Sequence, residues 1–137
     1  MRRLHRLFVA AALFVCGCAS EPEHAWRTAS AARPRSGADS LRLRVTLGSG
    51  ALRVSPAEDA GLYDYSMRYD AARYNVERRF DSASHTLTLR LDAGRRAIHA
   101  LTSDEQEEAR LSLAVARGVP LDVALRLGAV EADLDLG

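Results

Sequence analysis

Glu131, Asp133 and Asp135 are the residues whose type and spacing most directly suggest chemistry. Residues two apart on a strand project from one face, so these three carboxylates form a row that offers oxygen ligands to a hard cation such as calcium. The simpler reading of the same row is a solvated outer face. A second acidic cluster, Asp104-Glu105-Gln106-Glu107-Glu108, follows Thr102-Ser103, and helix-start chemistry accounts for it: an N-cap, a capping-box partner and acids in the first turn. The four histidines, His5, His24, His85 and His99, fall in no metal-binding spacing such as His-x-x-x-His. Ser103-Asp104 with His85 or His99 has no nucleophile-elbow or cysteine-protease context. Gly48-Ser49-Gly50 joins strand to strand rather than strand to helix, which is not how a phosphate-cradling loop is built. A hydrolase or metal-dependent activity is therefore the least favoured reading. The expectation is a non-enzyme with no cofactor.

Charge narrows the partners. All basic residues are Arg, 19 of them against 18 acids, so no net cationic surface remains to attract phosphate backbones. Without Arg2, Arg3 and Arg6 the balance becomes 16 Arg against the same 18 acids. Nucleic acid is not an expected partner.

The N-terminus reads as an export signal. Met1–Arg6 is short and basic, and Leu7–Val15 is an apolar run of nine residues, too short to span a bilayer as a helix. Val15-Cys16-Gly17-Cys18 resembles the lipobox of bacterial lipoproteins. The resemblance implies that residues 1–17 are removed and that Cys18 is the lipid attachment site. Cys16 leaves with the leader, so no disulfide is expected. A multiply acylated N-terminus anchors durably, since each buried methylene contributes about 0.8 kcal/mol. Ala19 and Ser20 are unlike the aspartate that retains lipoproteins at the inner membrane, so the outer membrane is the expected address.

Residues 18–40 have no sustained apolar period and read as a flexible tether, with Trp26 either in solvent, at the membrane interface or docked on the domain. The β domain is expected over 41–137. Leu41, Leu43, Val45 and Leu47 alternate with polar residues, and Leu52 and Val54 resume after Gly48-Ser49-Gly50. Gly48 suits the first central position of a two-residue II′ hairpin. That hairpin would pair Leu47 with Gly50, Val45 with Leu52 and Leu43 with Val54, but would set Arg44 against Arg53. The alternative is a solenoid corner whose next strand pairs with a neighbouring coil. Leu121–Leu127, Gly128-Ala129 and Val130–Leu136 repeat this pattern about eighty residues later.

Between the two copies the spacing predicts a meander. Tyr63–Tyr69, Tyr74–Phe80 and His85–Leu91 alternate, joined by loops of four residues, 70–73 and 81–84. Equal loops pair Tyr63 with Phe80 and Tyr65 with Arg78, then Phe80 with His85 and Val76 with Leu89. Arg78 is thereby explained as a guanidinium stacked on a ring at an apolar face, with Asp64 opposite Arg79 on the outer one. Asp92-Ala93-Gly94 is turn chemistry, a short helical excursion is expected near 102–110, and Leu111, Leu113 and Val115 restore a strand. The fold class is all-β, an antiparallel meander or stacked β-hairpins of sandwich or β-solenoid-like form.

The order of these motifs resembles the N-terminal domain of the toast-rack family, most specifically in Val119-Pro120-Leu121-Asp122 and Ala132-Asp133-Leu134-Asp135-Leu136. In this chain Gly48, Gly128, Pro120 and Arg78 are the expected structural positions of the β domain. Val130 replaces the second glycine of the turn, and Leu111 stands where the family tends to have Trp. The resemblance implies further β-repeats beyond Gly137, so both a truncated reading frame and a short form remain open. Some members are named cell-wall-active antibiotic response proteins. The expected function is a non-catalytic cell-envelope lipoprotein presenting an adhesin-like binding or scaffold domain to an envelope protein or polysaccharide. The alternative is a sensory or regulatory component of an envelope stress response.

Overall fold

A computed structural model describes residues 24–59, 61–94 and 108–137. The described residues form seven strands: β1 (Trp26–Pro34), β2 (Leu41–Pro56), β3 (Gly61–Asp70), β4 (Tyr74–Asp81), β5 (Thr86–Ala93), β6 (Arg110–Val115) and β7 (Leu121–Leu134). They form one mixed sheet in the order β1-β3-β6-β2-β5-β4, with β7 on β2. The sheet curls into a half-barrel around the inward side chains of β2, β3, β5 and β6, where Leu43, Leu89 and Met67 are fully buried. Burying a Leu or Met side chain contributes about 1.5–3 kcal/mol, so these alternating rows drive the curl.

β2 is the axis of the fold. Its burial alternates, with Leu41, Leu43, Val45 and Leu47 inward and Arg42 and Arg44 outward. After the glycine corner the inward positions become Leu52 and Val54. One edge of β2 carries β7 from Leu41 to Val54. The other is shared, with β5 pairing Arg42–Leu47 and β6 pairing Ala51–Pro56, all in parallel. The expected II′ hairpin is therefore overturned, because the two halves of β2 do not pair with each other. Arg44 stands between Thr88 and Ala124 rather than opposite Arg53, which removes the like-charge contact the hairpin would have cost.

The corner distinguishes its glycines. Gly50 has φ +118°, and a Cβ there would run into the carbonyl oxygen of Ala109. A Cβ on Gly128 would run into the carbonyl oxygen of Gly48, whereas one on Gly48 would find ordinary contacts at 3.8 Å. Gly48 thus matters for the backbone it presents and not for its missing side chain. The side-chain restriction falls on Gly50 and Gly128. Ser49 Oγ and Tyr74 Oη, 2.7 Å apart, tie the same corner to the start of β4.

The meander holds only in part. β4 and β5 pair antiparallel as expected, but Phe80 meets Leu87 and Val76 meets Leu91. The register is two residues from the expected one because the loop is 82–85. Asp81 Oδ1 accepts the Ala83 N–H at 2.9 Å, and His85 takes φ +48° to close it. Asp92 and Ala93 consequently belong to β5 and not to a turn. β3 does not pair with β4 at all, but lies between β1 and β6. Asp64 accordingly faces Ala32 and Ala114, not Arg79. Tyr63 and Phe80 still meet, with ring centroids 5.3 Å apart, across the curl rather than along a hairpin.

Arg78 is exposed on β4, opposite Leu89, so the expected stacking on Tyr65 is replaced by a different role. β4 ends the sheet on one side, and a charge on its apolar row discourages further strands from pairing there. The stretch expected to be a tether contains β1. Only Ala29 of that strand is buried, so its pairing shows no apolar period; its backbone ladder to β3 orders it instead. Trp26 docks on the domain, with the Arg68 guanidinium 4.7 Å from its ring centre. No helix occurs among the described residues. Of the helical excursion expected near 102–110, residues 102–107 lie outside the described residues, while Glu108 and Ala109 are irregular and Arg110 opens β6.

A candidate docking edge

The two copies of the repeat lie side by side. Leu41 pairs with Leu121, Val45 with Leu125 and Val54 with Leu134, a constant offset maintained across the corner. The backbone bonds show which groups β7 uses. Leu41 N–H donates to the Pro120 carbonyl at 3.0 Å, and Asp135 N–H donates to the Val54 carbonyl at 2.8 Å. The outward-facing residues of β7 thus direct their N–H and C=O groups to β2. Along a strand these directions alternate residue by residue, so the inward-facing residues Leu121, Val123, Leu125, Leu127, Val130, Ala132 and Leu134 point theirs away from β2. Among the described residues no strand accepts them. Pro120, expected to be structural, contributes the carbonyl that begins this ladder.

The same row is apolar and poorly covered. Leu127 and Leu134 are 36 and 46% exposed, while their β2 counterparts Leu47 and Val54 are 1% exposed, and Leu136 beyond the strand is 53% exposed. A long apolar strand edge with free backbone groups is a template for another strand. The other two ends of the sheet differ. β4 carries Glu77, Arg78 and Arg79 in sequence, and β1 carries Arg27, Arg33 and Pro34; charges and proline on edge strands oppose added pairing.

Of the candidate metal ligands, Glu131 and Asp133 lie on the outer face of β7 and Asp135 just follows its end; all three are exposed. Asp133 faces Arg53 at 3.5 Å, as Asp122 faces Arg42 at 3.6 Å. Asp135 Oδ1 accepts the Gly137 N–H at 3.1 Å. Exposed ion pairs of this kind contribute about 0–1 kcal/mol. Among the described residues no three His, Cys, Asp or Glu side chains gather as a metal shell requires. His85 lies 3.7 Å from Asp39 at a cleft of about 470 Å³ that Arg33, Arg35 and Phe80 also line. Arg33 stacks its guanidinium 4.2 Å from the Phe80 ring centre, closing the curl between β1 and β4. Burial raises the Tyr63 phenol pKa there, with Arg33 opposing the shift. Ser103, Asp104, His99 and Cys18 lie outside the described residues.

Asp70 was missed by sequence reasoning. It is the one buried charged side chain among the described residues, 1% exposed. Its Oδ1 accepts the N–H groups of Ala25 and Ala72, each at 2.9 Å, and its Oδ2 lies 2.9 Å from His24 Nδ1 and 3.4 Å from Arg73 Nε. Burial alone would raise its pKa, but the Ala25 N–H, His24 and the Ala72 N–H outweigh it and hold the carboxyl below the usual range. The signal was an Asp ending a strand two residues before a free N–H, the pattern of an Asx-turn. Asp70 clasps the start of β1 to the end of β3. His24, expected in the tether, is part of that clasp.

No curated protein matches the chain. A solved structure from Clostridium sporogenes ATCC 15579, described as a "putative cell adhesion protein", is similar in fold, with a TM-score of 0.56 and 19% identity. The match covers 80% of this chain and 51% of that one, so the chain spans about half the length of that structure. The family model for the "N-terminal domain of toast_rack, DUF2154" matches residues 21–137, which takes in every described strand, and the chain belongs to that family.

Proposed function

We propose that the protein is a non-catalytic cell-envelope lipoprotein, acylated at Cys18, held at the outer membrane, and serving as a scaffold that docks envelope components through the β7 edge. The observation that carries the reading is the contrast between β7 and the sheet's other ends: among the described residues β7 has an apolar row and backbone groups that no strand accepts, whereas β4 bears charges and β1 bears charges and a proline. The cell-adhesion description of the similar structure is compatible with a binding scaffold. The clasp at His24 brings the domain close to its anchor. Six residue steps separate Cys18 from His24, a span of at most about 20 Å, so the sheet rides near the headgroups.

Two measurements test this. In cells given a labelled acyl donor, the full chain takes up label and sediments with the outer membrane, and Cys18→Ala abolishes both; labelling that survives the substitution refutes the anchor. In isolated membranes, amide exchange over 121–134 is slow when β7 is occupied. Exchange as fast as at an open strand edge refutes the scaffold role.

A further inference from the structure

We infer that the cleft between the end of β1 and the loop joining β4 to β5 binds an acidic saccharide, taking its carboxylate or phosphate group on Arg33 and Arg35. The inference is independent of the β7 edge, which contributes none of the lining. The cleft lies where the sheet's other two ends approach each other, with Arg33 of β1 over the Phe80 ring of β4 at 4.2 Å. Buried Leu62 and Ala38 give it an apolar base, and Ser36, Ser82 and His85 add polar groups around the opening. Its volume of about 470 Å³ falls within the range of about 300–1,000 Å³ that small-ligand sites occupy.

The two arginines are arranged for an oxyanion. Among the described residues neither has a carboxylate within ion-pair distance, and no acid lines the cleft. Asp39 stands outside the lining, 3.7 Å from His85 Nδ1. Arg44 also lacks such a partner, but it projects from the outer face of β2 with no concavity around it; Arg33 and Arg35 share one. A guanidinium held by its flat face on a ring keeps its in-plane N–H donors, the fork that grips a carboxylate or phosphate through two oxygens. Arg33 is held in this way by Phe80. Arg35 directs its two terminal nitrogens to the carbonyls of Arg117 and Gly118 at 3.5 and 3.4 Å, longer than the usual span of about 2.7–3.2 Å. Those contacts locate the side chain, and a charged acceptor offers it shorter ones. The rest of the lining selects a polyhydroxylated ligand over a hydrocarbon acid. Arg33 already covers one face of Phe80, which leaves little apolar surface to bury, while serine hydroxyls and an imidazole match the mixed donors and acceptors of a sugar.

Calorimetric titration of the full chain in detergent tests the inference, with glucuronic acid and α-glucosyl phosphate as the acidic probes and glucose and inorganic phosphate as controls. At least one acidic sugar is expected to bind saturably in the millimolar range or tighter, shifting amide resonances over 32–38 and 80–85. Binding of glucuronic acid alone assigns the carboxylate, and of the glucosyl phosphate alone the phosphate. Arg35→Gln is expected to weaken the affinity about tenfold, the loss of one charge-assisted contact. Arg33→Lys, which keeps the charge but not the planar fork, is expected to do the same. Arg44→Gln removes an equal charge from the outer face and is expected to leave the affinity unchanged. Amide spectra outside the cleft that match the parent chain show that each variant is folded. Failure of both acidic sugars to bind, equal affinity for glucose, equal affinity for inorganic phosphate, or an equal loss in Arg44→Gln overturns the inference.

Discussion

Gly48 and Gly128 occupy equivalent places in the two copies of the repeat, yet replacing each by Ala is expected to have different results. The Cβ of Gly128→Ala would press on the carbonyl oxygen, carbonyl carbon and Cα of Gly48, all backbone. β2 cannot move aside alone, because it is bonded on its far edge to β5 and β6, and a shift of β7 parts the ladder between them. Overpacking of this kind costs about 1–3 kcal/mol, and parting the rung weakens a neighbouring ladder bond by about 1 kcal/mol more. The sum, about 2–4 kcal/mol, lowers Tm by roughly 8–16 °C for a domain of this size. For Gly48→Ala the new methyl meets Ala93 and Leu91 at ordinary distances. The lost freedom of the unfolded chain offsets any small strain, and the expected change is within about 0.5 kcal/mol. Gly50→Ala is expected to be at least as harmful as Gly128→Ala, since it combines the clash with Ala109 with a φ of +118°. Urea and thermal unfolding of the three variants decide the matter. Equal effects at Gly48 and Gly128, or a larger one at Gly48, would refute the parallel stacking of β7 on β2.

Asp70→Ala leaves the Ala25 and Ala72 N–H groups without their acceptor and is expected to cost about 2–3 kcal/mol, with β1 amides exchanging fastest. Because the folded pKa of Asp70 lies below its ordinary value of 3.8, the clasp contributes stability that is fully present above that value and is lost as pH falls through the folded one. Fluorescence of Trp26, the only Trp, should report the release of β1 in that acid range, and a change confined to neutral pH would contradict it. Arg78→Glu and Arg79→Glu are both exposed changes on an edge strand and should each shift stability by no more than about 0.5 kcal/mol; a much larger loss for Arg78 in urea unfolding would restore its stacking role. Chelation should leave Tm unchanged, and a clear drop would revive Glu131, Asp133 and Asp135 as ligands.

Alternation was the most legible property of the chain, and partner choice the least. The period of two places Leu43, Met67, Leu89 and Leu113 inward whichever strands they pair with, since a register error of two residues keeps every side chain on its face. That is why β4 and β5 were expected with the right faces but two residues out of step. What decided their register was the loop, where Asp81 captures an N–H and His85 adopts a left-handed conformation. β1 was illegible for a different reason: with one buried side chain, its order comes from backbone bonds and from a carboxylate on β3. The candidate ligands on β7 were read by type and spacing, while the docking edge on the same strand depends on which way its backbone groups point, and no pattern of side chains records that before the partner strand is known.

The glycine corner shows how a local signal and a distant one competed. Gly48-Ser49 has the chemistry of a hairpin turn, and pairing the halves of β2 satisfies the apolar pattern. Stacking β2 on its own repeat satisfies the same pattern, keeps Arg44 away from Arg53, and pairs thirteen residues of β7 with β2 instead of folding a strand back on itself. A chain with one copy of the motif would have had the hairpin as its readiest solution. The second copy makes the open corner favourable, because β2 then finds a partner along its free edge. β7 covers β2 from Leu41 to Val54, and among the described residues no strand covers β7 in turn, so the same stacking that buries the inner strand leaves the apolar row of β7 partly exposed.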